Sequence, residues 1–110
     1  MRTLRFIAEG QVMRQDPSCD FNNLVPGTES YIQAEFDLSP DWNDSVIIAA
    51  FRSNMGIEYA PQRLTEKGTC MIPVEALKRR IFKVNLIGQT RGGARLVTNK
   101  VEVRQNGGMV

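Results

Sequence analysis

Hydrophobic and polar residues alternate with a period of two along much of this chain. Between Tyr31 and Leu38, Ile32, Ala34, Phe36 and Leu38 fall on one side and Gln33, Glu35 and Asp37 on the other. This pattern predicts a strand buried on one face, and Ser39-Pro40-Asp41 ends it because Pro cannot continue a central strand. The segments Ile81–Gly88 and Leu96–Val103 read as two further strands. Gln89–Arg95 joins them, and Gly92-Gly93 supplies the turn of a hairpin. Phe82, Val84 and Leu86 share a face of the first strand; Val97, Val101 and Val103 share one of the second, opposite Thr98, Lys100, Glu102 and Arg104.

Residues 2–14 predict a first strand with Leu4, Phe6, Ala8 and Val12 on one face and Arg5, Glu9, Gln11 and Met13 on the other, bent or bulged at Gly10. Asp16–Asp20 is a turn cluster, and Phe21–Gly27 is an irregular connection that Phe21 and Leu24 pin to the core. Val46–Phe51 is apolar on both faces. Either it is a central strand covered on both sides, the favoured reading, or one face meets a partner chain. Asn54-Met55-Gly56 turns the chain into Ile57–Leu64, an edge strand because of Pro61. After the turn at Glu66-Lys67-Gly68, Thr69–Ile72 is a short strand. Pro73–Lys78 is one helical turn, with Pro at its first position and Val74 or Leu77 plugging the end of the fold. About seven short strands, with turn signals every 8 to 12 residues, favour a β-sandwich or small barrel; Trp42 at the entry to an inner strand matches Ig-like sandwiches, and an all-β, Ig-like sandwich is the fold expected. It forms a single domain over residues 1–105, with 106–110 a flexible tail.

Composition narrows the chemistry. The 110 residues carry 14 basic and 12 acidic side chains, a net charge of +2, and this field points to neither nucleic acid nor membrane. No apolar run reaches the roughly 18 residues that span a bilayer, and the N-terminus is too short and too interrupted by charge for a secretory signal, so a cytosolic protein is expected. There is no histidine, so a Ser-His or Cys-His nucleophile pair is not available, nor are four Cys/His ligands for zinc. Cys19 and Cys70 are expected to be separate reduced thiols. Asp37, Asp41 and Asp44 cluster around Trp42 but read as turn caps, and Gly92-Gly93 lies in a hairpin rather than between strand and helix. No catalytic residue, cofactor site or metal site is therefore expected, and the chain is not expected to be an enzyme.

Two surfaces remain. Val46, Ile48 and Ala50, with Trp42 and Tyr59, form a candidate interaction face. Arg79, Arg80, Arg91, Arg95 and Lys100 form a candidate basic patch. The second reads more simply as a solvated hairpin whose charges protect an edge, and it lacks the interleaved aromatics that would suit single-stranded nucleic acid. Tyr31, Trp42, Phe51 and Tyr59 read as core or loop pins in preference to a sugar-binding platform.

Five segments carry a resemblance: Phe21-Asn22-Asn23-Leu24-Val25-Pro26-Gly27-Thr28, Ala34-Glu35-Phe36, Trp42 before a strand ending Ala49-Ala50-Phe51, Gly68-Thr69-Cys70-Met71-Ile72-Pro73, and Thr98-Asn99-Lys100-Val101. In these the chain resembles small proteins encoded by phages and prophages of Firmicutes and other gut bacteria, along nearly its whole length. The run through Ile72-Pro73-Val74-Glu75-Ala76-Leu77 into the last strands also resembles the N-terminal Ig-like domain of phage baseplate upper proteins and tail-fibre proteins. In those proteins the domain docks a receptor-binding assembly onto the particle and continues into a coiled coil and head, which these 110 residues do not include. The resemblance implies a non-enzymatic structural protein: a virion accessory, decoration or baseplate-docking module. Its partner would be itself or another virion protein, and its place the host cytoplasm during assembly and then the virion. The alternative is a small phage inhibitor that plugs the surface of a host defence protein.

Overall fold

The computed structural model describes residues 1–109. In chain order the elements are β1 (Arg2–Glu9), β2 (Val12–Gln15), β3 (Ile32–Leu38), a 3-10 turn (Pro40–Trp42), β4 (Ser45–Ser53), β5 (Gln62–Arg63), β6 (Thr69–Met71), α1 (Val74–Leu77), β7 (Ile81–Thr90), β8 (Arg95–Val97) and β9 (Val101–Arg104). They build two sheets. One has the order β2-β1-β3-β6; the other has β5-β4-β7-β8, with β9 following β8 along the same side of β7. β1 and β3 run parallel, and every other strand pair is antiparallel. The chain is the all-β sandwich that the alternation predicts. Its long strands lie inside each sheet, and strands of two to four residues lie at the rims.

The core lies between the sheets. Leu4, Phe6, Ala34 and Phe36 from the first meet Ala49, Phe51, Phe82, Val84 and Leu86 from the second, all buried. Phe6 stacks on Phe36 with ring centroids 5.2 Å apart and meets Phe21 edge-on at 5.4 Å, so Phe21 pins its loop as the sequence predicts. Leu77 closes one end of the sandwich, while Pro73 precedes α1 as its cap residue rather than occupying its first position.

Two expectations need correction. Residues 2–14 are not one bent strand. At Gly10, with φ of +58°, the chain reverses and β2 pairs back on β1, setting Met13 opposite Ala8. Paired residues share a face, so Met13 enters the core and Val12 is 63% exposed. The last strand is likewise interrupted. The Leu86 N–H donates to Thr98 Oγ1 (2.9 Å), and the Thr98 N–H donates to the Leu86 carbonyl (3.0 Å). This break inverts the alternation, leaving Val97 on the outside while Val101 and Val103 point in. Next in the break, Asn99 reaches across to the other sheet. It accepts from the Met13 N–H (2.7 Å) and donates to the Met13 carbonyl (2.9 Å), clasping the two layers together.

Within the expected tail, residues through Met109 make backbone hydrogen bonds: the Asn106 N–H donates to the Leu24 carbonyl (2.7 Å), Met109 N–H to Lys78 (3.0 Å) and Arg80 N–H to Met109 (2.8 Å). Gln105, buried just before it, donates from Nε2 to the Leu77 and Arg79 carbonyls at 2.9 and 2.7 Å. Val110 lies outside the described residues.

One margin of each sheet is dressed. Beyond the reach of β2, the Arg5 N–H donates to Cys19 Sγ (3.3 Å), and the Arg2 guanidinium binds the carbonyls of Asp20, Asn22 and Asn23. Beyond β5, the outer edge of β4 is met by Ile57, Tyr59 and Leu64 through backbone hydrogen bonds of 2.8 to 3.0 Å.

Candidate interaction surface

The outer face of the five-stranded sheet is where the apolar excess of β4 comes to lie. Ile47, Ala49 and Phe51 point into the core, so Val46, Ile48 and Ala50 point out, with Val46 48% and Ile48 37% exposed. The favoured reading, a strand covered on both sides, is therefore corrected: the outer side of β4 is uncovered in this chain. Register extends it. Ile48 lies opposite Ile87 of β7 and Arg63 of β5, and Ile87 lies opposite Val97 of β8. The result is a row, Arg63–Ile48–Ile87–Val97, running across four strands, with Val97 36% exposed. Ile48, Ala50 and Ile87, together with Tyr59 and Pro61, line a shallow groove of about 250 Å³.

The remaining members of the predicted face divide. Tyr59 joins the groove, half-buried, and its hydroxyl is one of the buried polar atoms without a hydrogen-bond partner among the described residues. Asn85 Oδ1 and Arg52 Nε are two others on the same side of the sheet, around Ala50. Trp42 does not belong to the face. It is 2% exposed, its indole N–H donates to the Gly10 carbonyl (3.0 Å), and its ring lies against Gly88 on the inner side. The 3-10 turn rolls this large side chain inward, under the sheet rather than onto it.

The predicted basic patch is not one patch. Arg79 and Arg80 precede β7, and Arg91 follows it, so they lie at opposite ends of a ten-residue strand, separated by roughly 30 Å. Arg79 and Arg80 flank a cleft of about 160 Å³ with Ser53, Met55, Ile57 and Ile81. Arg95 lies opposite Gln89, at the rim of the apolar row. Lys100 lies in the β8–β9 break, apart from both groups.

The other sheet presents a different face. Its outer positions pair Arg5 with Glu35 (2.9 Å) and Arg14 with Glu9 (2.9 Å), among Thr3, Gln33 and Asp37, with Ile7, Val12 and Met71 dispersed between them. Asp16, at its margin, sits below the usual carboxylate range because the Ser18 backbone N–H and hydroxyl both donate to it. Among the described residues no group of three His, Cys, Asp or Glu side chains is arranged to hold a metal, and no helix is long and apolar enough to cross a membrane. Both cysteines are free thiols, and burial pushes the Cys70 thiol up to about 12.

Ile87, Val97 and Arg63 were not singled out by the sequence reading. Only the strand register reveals them, by setting them in line with Ile48. No protein-family model, no curated protein and no solved structure matches the chain.

Proposed function

We propose that this chain is a non-enzymatic contact module, a virion accessory of the phage kind its segments resemble, that docks on another protein through the outer face of its five-stranded sheet. The observation that carries the reading is the row Ile48–Ile87–Val97 with Val46 beside it: aliphatic side chains in register on an open, rigid sheet. A soluble protein gains nothing by holding such a row in water, and contiguous apolar surface of this kind marks contact sites. The pleat fixes the side chains before binding, which lowers the ordering cost on association. On this reading the chain works in the host cytoplasm during assembly and then on the particle.

Mass spectrometry of purified particles tests the proposal, comparing the native chain with Ile48→Glu. The native chain should be present at stoichiometric copy number, and Ile48→Glu should deplete it while leaving its melting temperature unchanged. Recovery from infected-cell lysate alone, bound to a host protein, would overturn the virion role and favour an inhibitor of that host protein.

A further inference from the structure

The charges around the apolar row narrow its partner. Register places Arg52 and Lys83 opposite each other at one end of the face, with Glu102 beyond Lys83 and Arg104 opposite Ile81. Arg63 stands at the β5 end of the row, and Arg95 lies beside it on β8, opposite Gln89. Glu58 meets Arg52 at the margin. Five basic side chains and two carboxylates leave a charge of +3 on this face. Both carboxylates are already engaged: Glu58 with Arg52 at 2.8 Å and Glu102 with Arg104 at 3.0 Å. The rim is therefore cationic, and its exposed members nearest the apolar row are Arg63 and Arg95.

We infer that the face takes a protein surface whose apolar centre is ringed by carboxylates, rather than a second copy of the chain. The inference rests on reading this face as the docking surface. A symmetric pair would press the same patch against itself, setting +3 against +3, and like charges brought together at an interface oppose assembly. A head-to-tail pair fares no better. The outer face of the other sheet is centred on the Arg5–Glu35 ion pair, and its apolar members, Ile7, Val12 and Met71, each lie opposite a polar or charged residue (Asp37 and Arg14, Glu9, and Gln33), so no aliphatic row is there to meet Ile48, Ile87 and Val97. Nucleic acid would satisfy the rim and leave the aliphatic centre unmatched. A protein patch with leucine-like side chains at its middle and Asp or Glu around them satisfies both, in the usual arrangement of apolar core and polar rim.

Two short fluorescent peptides test this, one alternating Leu and Glu, the other Leu and Lys, with binding read by anisotropy and the chain's mass by sedimentation equilibrium. The Leu-Glu peptide should bind and weaken about tenfold or more on raising salt from about 0.02 to 0.5 M, while the Leu-Lys peptide should not bind. Arg63→Gln with Arg95→Gln should lower affinity about tenfold, since rim charges set attraction and register. Ile48→Glu should abolish binding, and all variants should melt like the native chain. Equal binding of both peptides, lost in Ile48→Glu, overturns the choice of partner and keeps the docking face. Binding of neither peptide overturns the inference, and undiminished particle incorporation of Ile48→Glu then removes the docking face as well. A dimer that Ile48→Glu dissociates, or oligouridylate binding that Ile48→Glu leaves intact, also overturns it.

Discussion

Gly88 is the position where a single methyl group tests the packing. A Cβ built there would lie 2.7 Å from Trp42 Cζ3, 2.9 Å from Cε3 and 3.6 Å from Ser45 Cβ. The first two distances are far inside van der Waals contact, so something must move. Trp42 is poorly placed to yield, being 2% exposed and tied by its indole N–H to the Gly10 carbonyl at 3.0 Å. Gly88 lies between Ile47 and Leu96 in a sheet paired on both sides, so its backbone is no freer. Overpacking of this kind costs about 1–3 kcal/mol, and the alanine recovers about 0.5–1 kcal/mol through a less disordered unfolded chain. With neither the indole nor the strand free to yield, the overpacking term lies in the upper half of that range, so Gly88→Ala should destabilise by about 1–2.5 kcal/mol, which lowers the melting temperature of a chain this size by roughly 4–12 °C. Circular dichroism melts and urea midpoints would measure it. The same substitution in a Trp42→Phe background, where the outer ring is gone, should cost less than about 0.5 kcal/mol. A melt within about 1 °C of the native chain, or an equal loss in both backgrounds, would refute the argument that the indole occupies the space a side chain needs.

Other consequences can be measured in the same way. Asn99→Ala removes both hydrogen bonds to Met13 and should cost about 1–3 kcal/mol in urea unfolding because the Met13 groups lose their partner; Asn99→Asp keeps the acceptor and should lie between. Burial raises the Cys70 thiol from 9.0 to about 12. The native state thus binds the proton more tightly than the unfolded chain, so the contribution of this thiol should be fully present below about pH 9 and be lost as pH rises toward about 12. Cys70→Ala should flatten that slope. Gly108, at φ of +101°, would place a Cβ 2.9 Å from Pro26 and 3.0 Å from the Arg80 nitrogen and Lys78 oxygen. Gly108→Ala should release Met109 and speed amide exchange at Arg80 and Met109, while the core amides of β7 stay protected.

Local pattern revealed the fold; register revealed the surface. Ile32 to Phe36 alternate because one sheet face is buried along their whole length, and that signal needs no knowledge of neighbours. Parity fails where the ladder is redirected. Counting by twos through Gly10 puts Val12 inside, but a tight turn pairs Met13 with Ala8 and exchanges them. Counting through Thr98 and Asn99 fails because their side chains take up hydrogen bonds that a continuous strand would make. Trp42 reads both as a core or loop pin and as a member of the outer face, because its seat, Gly88, lies 46 residues away in the chain. The candidate face was half legible: Val46, Ile48 and Ala50 announce it by being apolar opposite a buried set, whereas Ile87, Val97 and Arg63 need three strand pairings to be brought into line. The basic patch failed for the same geometric reason, since residues flanking one long strand are near in sequence and far apart in space.

The dressed rims decide how this molecule can meet others. A partner that binds by strand addition needs a run of free backbone donors and acceptors along a straight edge. The strands at the margins have four residues or fewer. Where longer strands reach the margin, Cys19 occupies the amide of Arg5, and residues 57 to 64, with Pro61 among them, track the edge of β4. Templated growth, the route from edge strands to fibres, has only edge strands of two to four residues to start from. Short edges of this kind disfavour the merging of sheets between copies at high local concentration. What remains open to a partner is side chain rather than backbone, so recognition is written in residues that can be changed one at a time without disturbing the ladder beneath.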